Sequence, residues 1–135
     1  MKNTGIWIDK RKAIVITIEN DKEQMHTITS NIEDYNIKGG SGTKFKGGPQ
    51  DVVQDSKYLE REKHQFKAYF NDIVPYFESA DAVIIFGPAQ AGAKLNKELL
   101  ENYTNLHSKV KSVITTDKMT DNQLKAFVRA HFESA

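Results

Sequence analysis

The 135-residue sequence contains no cysteine. That excludes disulfides, thiolate nucleophiles and cysteine-based zinc sites. It also lacks a dominant charge: 19 basic residues face 18 acidic ones, for a net charge of +1. No global field draws the chain to nucleic acid or to a membrane, so any electrostatic attraction must be local. Long apolar runs are missing as well. The uninterrupted aliphatic or aromatic stretches reach about four residues, far short of a membrane span. The opening MKNTGIWIDKRK has no apolar core of signal-peptide length. These absences set the expectation of a cytoplasmic protein with no membrane partner. The four histidines, His26, His64, His107 and His131, form no i, i+4 pair, and without cysteine a zinc site is not expected. No nucleophile signature of the G-x-S-x-G kind occurs, and no cofactor is expected.

What remains is the composition and length of one globular domain, 1–135. Residues 4–9 and 12–19 are β-rich and are separated by the polar DKRK, which suits a hairpin. Asn20-Asp21-Lys22 signals a second turn and EQMHTITS a third strand, giving an antiparallel meander. Apolar residues at both parities in AIVITI imply a sheet covered on both faces. After residue 50 the period changes. Leu59, Phe66, Tyr69, Phe70, Ile73, Val74 and Phe77 trace an apolar stripe, which predicts a helix from the mid-50s to about 74, stopped or kinked by Pro75. ADAVIIFG reads as a central strand, 91–103 as a helix with Leu95, Leu99, Leu100 and Tyr103 inward, and 109–116 as the last strand. Thr120 with Gln123 matches a capping box, and Met119 with Leu124 a hydrophobic staple, at the start of the last helix. Its inner side carries Leu124, Phe127, Val128 and His131 or Phe132. The expected fold is α/β. A mixed five-stranded sheet joins the meander to parallel strands, with three flanking helices, in the order βββ-loop-αβαβα.

The exception to this patterning is KGGSGTKFKGGPQ, 38–50. It holds five of the eight glycines and three lysines, with no acid, inside a run without periodicity at 31–50. Glycine lets backbone N–H groups approach an anion, and lysine adds point charges. Lys38, Gly39, Gly40, Lys44 and Lys46 are therefore candidate phosphate contacts, and Phe45 a candidate stacking platform for a base. The plainer alternative is a solvated linker.

Two other places carry candidate chemistry. In FGPAQAGAK, Gly87 and Gly92 have P-loop spacing, but Lys94 falls one residue late and Leu95 stands where a magnesium-binding hydroxyl belongs. A nucleotide-hydrolysing P-loop is rejected. The helix start at 89–93 with Lys94 stays a candidate phosphate contact, beside the simpler reading of a tightly packed strand-to-helix turn. Asp9 is a candidate metal carboxylate if Glu60, Asp72 or Asp81 converge on it; turn chemistry is the simpler reading.

In its opening GIWIDKRKAIVITI, its glycine-rich segment, DSKYLEREKHQFKAYF, ADAVIIFGPAQAGAK and the ending TTDKMTDNQLKAFVRAHF, the chain resembles a known family. That family is the central domain of archaeal and eukaryotic class-1 peptide release factors and of Pelota, and the chain resembles its bacterial relatives more closely. The resemblance spans nearly the whole chain and rests on the order and spacing of these segments. It implies a loop that enters the ribosomal peptidyl-transferase centre, where a Gly-Gly-Gln tripeptide sets water against the peptidyl-tRNA ester. The matching positions here are Gly47, Gly48 and Gln50, with Pro49 inserted. Proline has no N–H and a fixed φ, so Gln50 does not take the family glutamine's place directly. The resemblance thus implies a translation-associated domain that binds tRNA or the ribosome, without a competent hydrolase site. The alternative it leaves is a peptidyl-tRNA ester hydrolase acting through 47–50. More distant alternatives are a protein-interaction scaffold and a metal-dependent nuclease keyed on Asp9.

Overall fold

In the computed structural model, which describes residues 2–30, 32, 48–88 and 90–133 (48–58 by their backbone), three strands form the meander that the turn signals imply. They are β1 (Lys2–Ile8), β2 (Lys12–Glu19) and β3 (Lys22–Thr29). The first turn is held by Asp9, whose Oδ1 accepts from the backbone N–H groups of Arg11 at 2.7 Å and Lys12 at 2.8 Å. The second places Asn20 and Asp21 at φ of 53° and 66°, the left-handed pair of a tight hairpin turn. Strands β4 (Ala82–Gly87) and β5 (Val110–Thr115) complete a five-stranded sheet of order β3-β2-β1-β4-β5. β1 pairs antiparallel with β2 and parallel with β4, and β4 pairs parallel with β5.

The two-parity apolar pattern has a direct cause: each face of the sheet has its own core. On one face Ile6, Ile8, Val15, Val83 and Ile85 meet Phe66, Tyr69, Phe70, Ile73, Leu95 and Leu99. The last six lie on α1 (Gly48–Ile73) and α2 (Ala91–Asn102). On the other face Trp7, Ile14, Ile16, Ile84 and Phe86 meet Leu124 and Val128 of α4 (Asp121–Glu133). Gly5 lets that helix sit close, because a Cβ there would fall 2.3 Å from Val128 Cγ2. Phe86 stacks on Phe127 of α4 at 4.5 Å between ring centroids.

The expected boundaries hold in part. Ile73 ends α1 and Pro75 sits in the 3₁₀ turn Val74–Tyr76. The capping box forms: the backbone N–H of Thr120 donates to Gln123 Oε1 at 2.9 Å, and that of Gln123 to Thr120 Oγ1 at 3.3 Å. Met119 packs against the same cluster as Leu124. A one-turn helix, α3 (Thr104–His107), adds a fourth to the three expected. The largest difference is the start of α1, at Gly48 rather than in the mid-50s. Two residues of the expected inner faces are exposed instead, Leu59 at 57% and Leu100 at 53%.

Candidate nucleic-acid interface

Parallel pairing of β1, β4 and β5 puts their carboxyl ends on one edge of the sheet. β3 runs the same way, since it is antiparallel to β2. That edge therefore carries the 9–12 hairpin, the turn after Gly87, the 116–120 segment and the exit of the chain toward residue 32. Ser30 is tied there: its N–H donates to the Arg11 carbonyl at 2.8 Å and its hydroxyl to the Lys10 carbonyl at 2.6 Å. In open α/β sheets ligands are generally met outside the carboxyl ends of the strands.

Helix α1 runs the opposite way and passes beyond this edge. The Tyr69 hydroxyl donates to the Asp9 carbonyl at 3.0 Å, which fixes where the helix crosses the hairpin. From residue 59 onward, Phe66 is the first buried side chain of the helix, and residues 59–61, 63 and 64 before it are exposed. From Gly48 to Phe66 the helix is about 27 Å long at 1.5 Å per residue. An ion pair at 2.9 Å between Lys10 Nζ and Glu62 braces its base against the hairpin. Burial, and then the charge of Asp9, push the Tyr69 hydroxyl well above its usual pKa, so it stays a donor.

Lys38, Gly39, Gly40, Lys44, Phe45, Lys46 and Gly47 lie outside the described residues. Gly48 and Gln50 are in the first turn of α1, with Pro49 between them. A first-turn proline costs no hydrogen bond, because that N–H has no intrahelical acceptor. The remaining first-turn N–H groups and the positive end of the helix dipole point toward the arm's tip. Lys94 is exposed on the same edge, with Nζ 4.7 Å from the centre of the Phe66 ring. Its helix begins at Ala91, and the turn before it fits the close-packing reading. Gly87 has φ +143°, and a Cβ there would lie 2.4 Å from the Ile8 carbonyl oxygen. A Cβ at Gly92 would lie 3.1 Å from Ile85 Cγ2.

The metal reading of Asp9 is not supported. Its Oδ1 is taken up by the hairpin turn. Asp81 accepts from the Lys2 backbone N–H at 2.7 Å, at the other end of β1, roughly 20 Å away at the rise of a strand. Among the described residues no three metal-binding side chains come together. His26 packs on the Tyr76 ring at 5.2 Å, and His64 is exposed. Sequence reasoning did not single out Lys12 and Lys118, which the parallel topology brings to the same edge as the arm. Both are exposed. Spacing along the chain carried no signal for this, since they are more than a hundred residues apart.

No family model and no curated protein sequence matches the chain. Solved structures do share its fold. The Thermoplasma acidophilum Pelota protein matches with a TM-score of 0.56 and 16% identity, over 96% of this chain and 32% of that one. An archaeal translation termination factor, aRF1, matches at 0.51 and 13% identity, over 89% of this chain and 31% of that one. A further archaeal protein matches at 0.50 and 15% identity, over 92% of this chain and 32% of that one. The chain spans about a third of the length of each.

Proposed function

We propose that this chain is a translation-associated RNA-binding domain, acting in the cytoplasm, that offers residues 38–50 to tRNA or ribosomal RNA and does not hydrolyse peptidyl-tRNA. The observation that carries the reading is the α1 arm. The helix begins at Gly48-Pro49-Gln50, about 27 Å before the buried Phe66 at 1.5 Å per helical residue. The glycine- and lysine-rich segment joins the chain directly before it. Lys38, Lys44 and Lys46 supply up to three phosphate contacts, and the unpaired N–H groups at the helix start supply further donors. Phe45 offers a face to an unstacked base. A fold shared with Pelota and with a protein titled as a translation termination factor favours a ribosomal partner. Against hydrolysis stands Pro49, which removes one N–H and places Gln50 on helical backbone in the first turn.

Co-sedimentation with ribosomes at low and moderate salt tests the reading. Association at low salt is expected, and its loss when Lys38, Lys44 and Lys46 are all changed to Ala. No association at low salt, or association indifferent to those changes, rejects it. Release of a labelled peptide from ribosome complexes, abolished by Gln50→Ala, would instead make the chain a peptidyl-tRNA hydrolase.

A further inference from the structure

A cavity of about 300 Å³ opens on the edge of the sheet that carries the arm, but on the opposite face from α1. Trp7 and Ile14 of the strands and Met119 before α4 form its apolar wall. Arg11, Lys12 and Lys118 bring three cations to it. Asp9 and Asp121 bring two carboxylates, leaving the lining one positive charge in excess. One oxygen of Asp9 already accepts two backbone N–H groups, as described above.

Trp7 is the unusual member. It is 3% exposed, and its Nε1 has no hydrogen-bond partner among the described residues. Buried indole N–H groups almost always find an acceptor. Thr4 Oγ1 and Asn96 Oδ1 are also without partners among the described residues, but neither borders this cavity. Lys12 Nζ lies 6.0 Å from the centre of the Trp7 ring, so one flexible cation sits against the same indole that lacks an acceptor.

We propose that this cavity binds a small planar ligand carrying one anionic group, of the size of a nucleoside monophosphate. The apolar wall of Trp7, Ile14 and Met119 takes the ring. Lys12 and Lys118 hold the anion, and the Trp7 N–H is the donor left for an acceptor on the ring. The volume lies at the lower end of the range of small-molecule sites, about 300–1,000 Å³, which suits one nucleotide and excludes a dinucleotide. The position, beyond the carboxyl ends of parallel strands, is where open α/β sheets place such ligands. The proposal uses no residue of 38–50 and does not depend on the RNA reading.

Trp7 is the chain's one tryptophan, so its fluorescence reports on the cavity alone. Titration of the full chain with AMP and with UMP is expected to give a saturable change in emission for at least one of them. The Lys12→Ala/Lys118→Ala double variant is expected to weaken that binding at least tenfold, with circular dichroism unchanged because both side chains are exposed. Calorimetry with Trp7→Phe, which keeps a ring and removes the N–H, is expected to give at least threefold weaker binding. Inorganic phosphate and adenosine, each half of the probe, are expected to bind at least tenfold more weakly than AMP. Absence of a saturable change with both nucleotides overturns the proposal. So does undiminished affinity in either variant, or equal affinity for phosphate or adenosine alone. A variant lacking the three lysines of 38–46 is expected to bind the nucleotide as the parent does, so the two readings fail separately.

Discussion

The hydroxyl of Tyr69 donates to the Asp9 carbonyl at 3.0 Å, and the residue is 2% exposed. Together with the Lys10–Glu62 ion pair, this side chain ties the arm to the hairpin. Its removal in Tyr69→Phe is expected to cost about 1 kcal/mol at neutral pH, the net worth of one hydrogen bond. The pH dependence has a definite sign. Burial, and secondarily Asp9, raise the folded-state pKa above the ordinary value near 10.0. The unfolded chain therefore ionises first. Stability from the neutral hydroxyl is complete below about pH 10 and is lost as pH climbs further, by about 1.4 kcal/mol per unit. Urea unfolding at pH 8, 10 and 11 checks this. The gap between parent and variant should hold from pH 8 to near 10 and close or reverse by 11. A gap of constant size would mean that Tyr69 is not shielded from water. The other four tyrosines are common to both proteins and cancel in the difference. At this scale the sequence was readable wherever chemistry is local. The Asp9 turn and the Thr120–Gln123 box depend on neighbours two or three residues away.

Among the elements, α1 was readable only where it is covered. Hydrophobic periodicity reports burial, and helicity only through burial. Phe66, Tyr69, Phe70 and Ile73 face the sheet, and their spacing marks the docked half of the helix. The stretch GPQDVVQDSKY before Leu59 is helical but carries no apolar stripe, so periodicity gave no sign of it. Leu59 fits the period and yet lies beyond the body. Leu100, likewise on the period, faces water because α2 is covered on one side only. The boundary between docked and projecting helix is measurable. Phe66→Ala removes a buried ring and the surface on which Lys94 rests, and is expected to cost about 3 kcal/mol. Leu59→Ala is expected to stay within about 0.5 kcal/mol of the parent. Equal costs at the two positions, read from urea midpoints, would place the edge of the body at least two helical turns nearer the helix start.

For the whole molecule, a net charge of +1 conceals an uneven distribution. The order of strands and helices along the chain was legible from their alternating patterns. Which side chains share an edge was not, because that depends on the pairing of β1 with β4 and β4 with β5. Those pairings set Lys12 and Lys118 on the edge that α1 overshoots, and Lys94 stands there too, while the anchoring of Lys10 to Glu62 is spent on holding the arm. Binding of a polyanion at this edge must then be local and salt-sensitive. Each phosphate neutralised on a single strand contributes about 0.7 to the slope of log affinity against log salt. Changing Lys38, Lys44 and Lys46 to Ala should therefore lower the magnitude of that slope by about 2 for an unstructured single-stranded RNA. Changing Lys94 alone should lower it by less than about 0.7, the value of one full contact, because its ammonium rests against the Phe66 ring. Affinity lost in the triple variant with the slope intact would mean that the lysines shape the segment rather than touch phosphates. In that case the arm would be gripping its partner through the glycine backbone and Phe45.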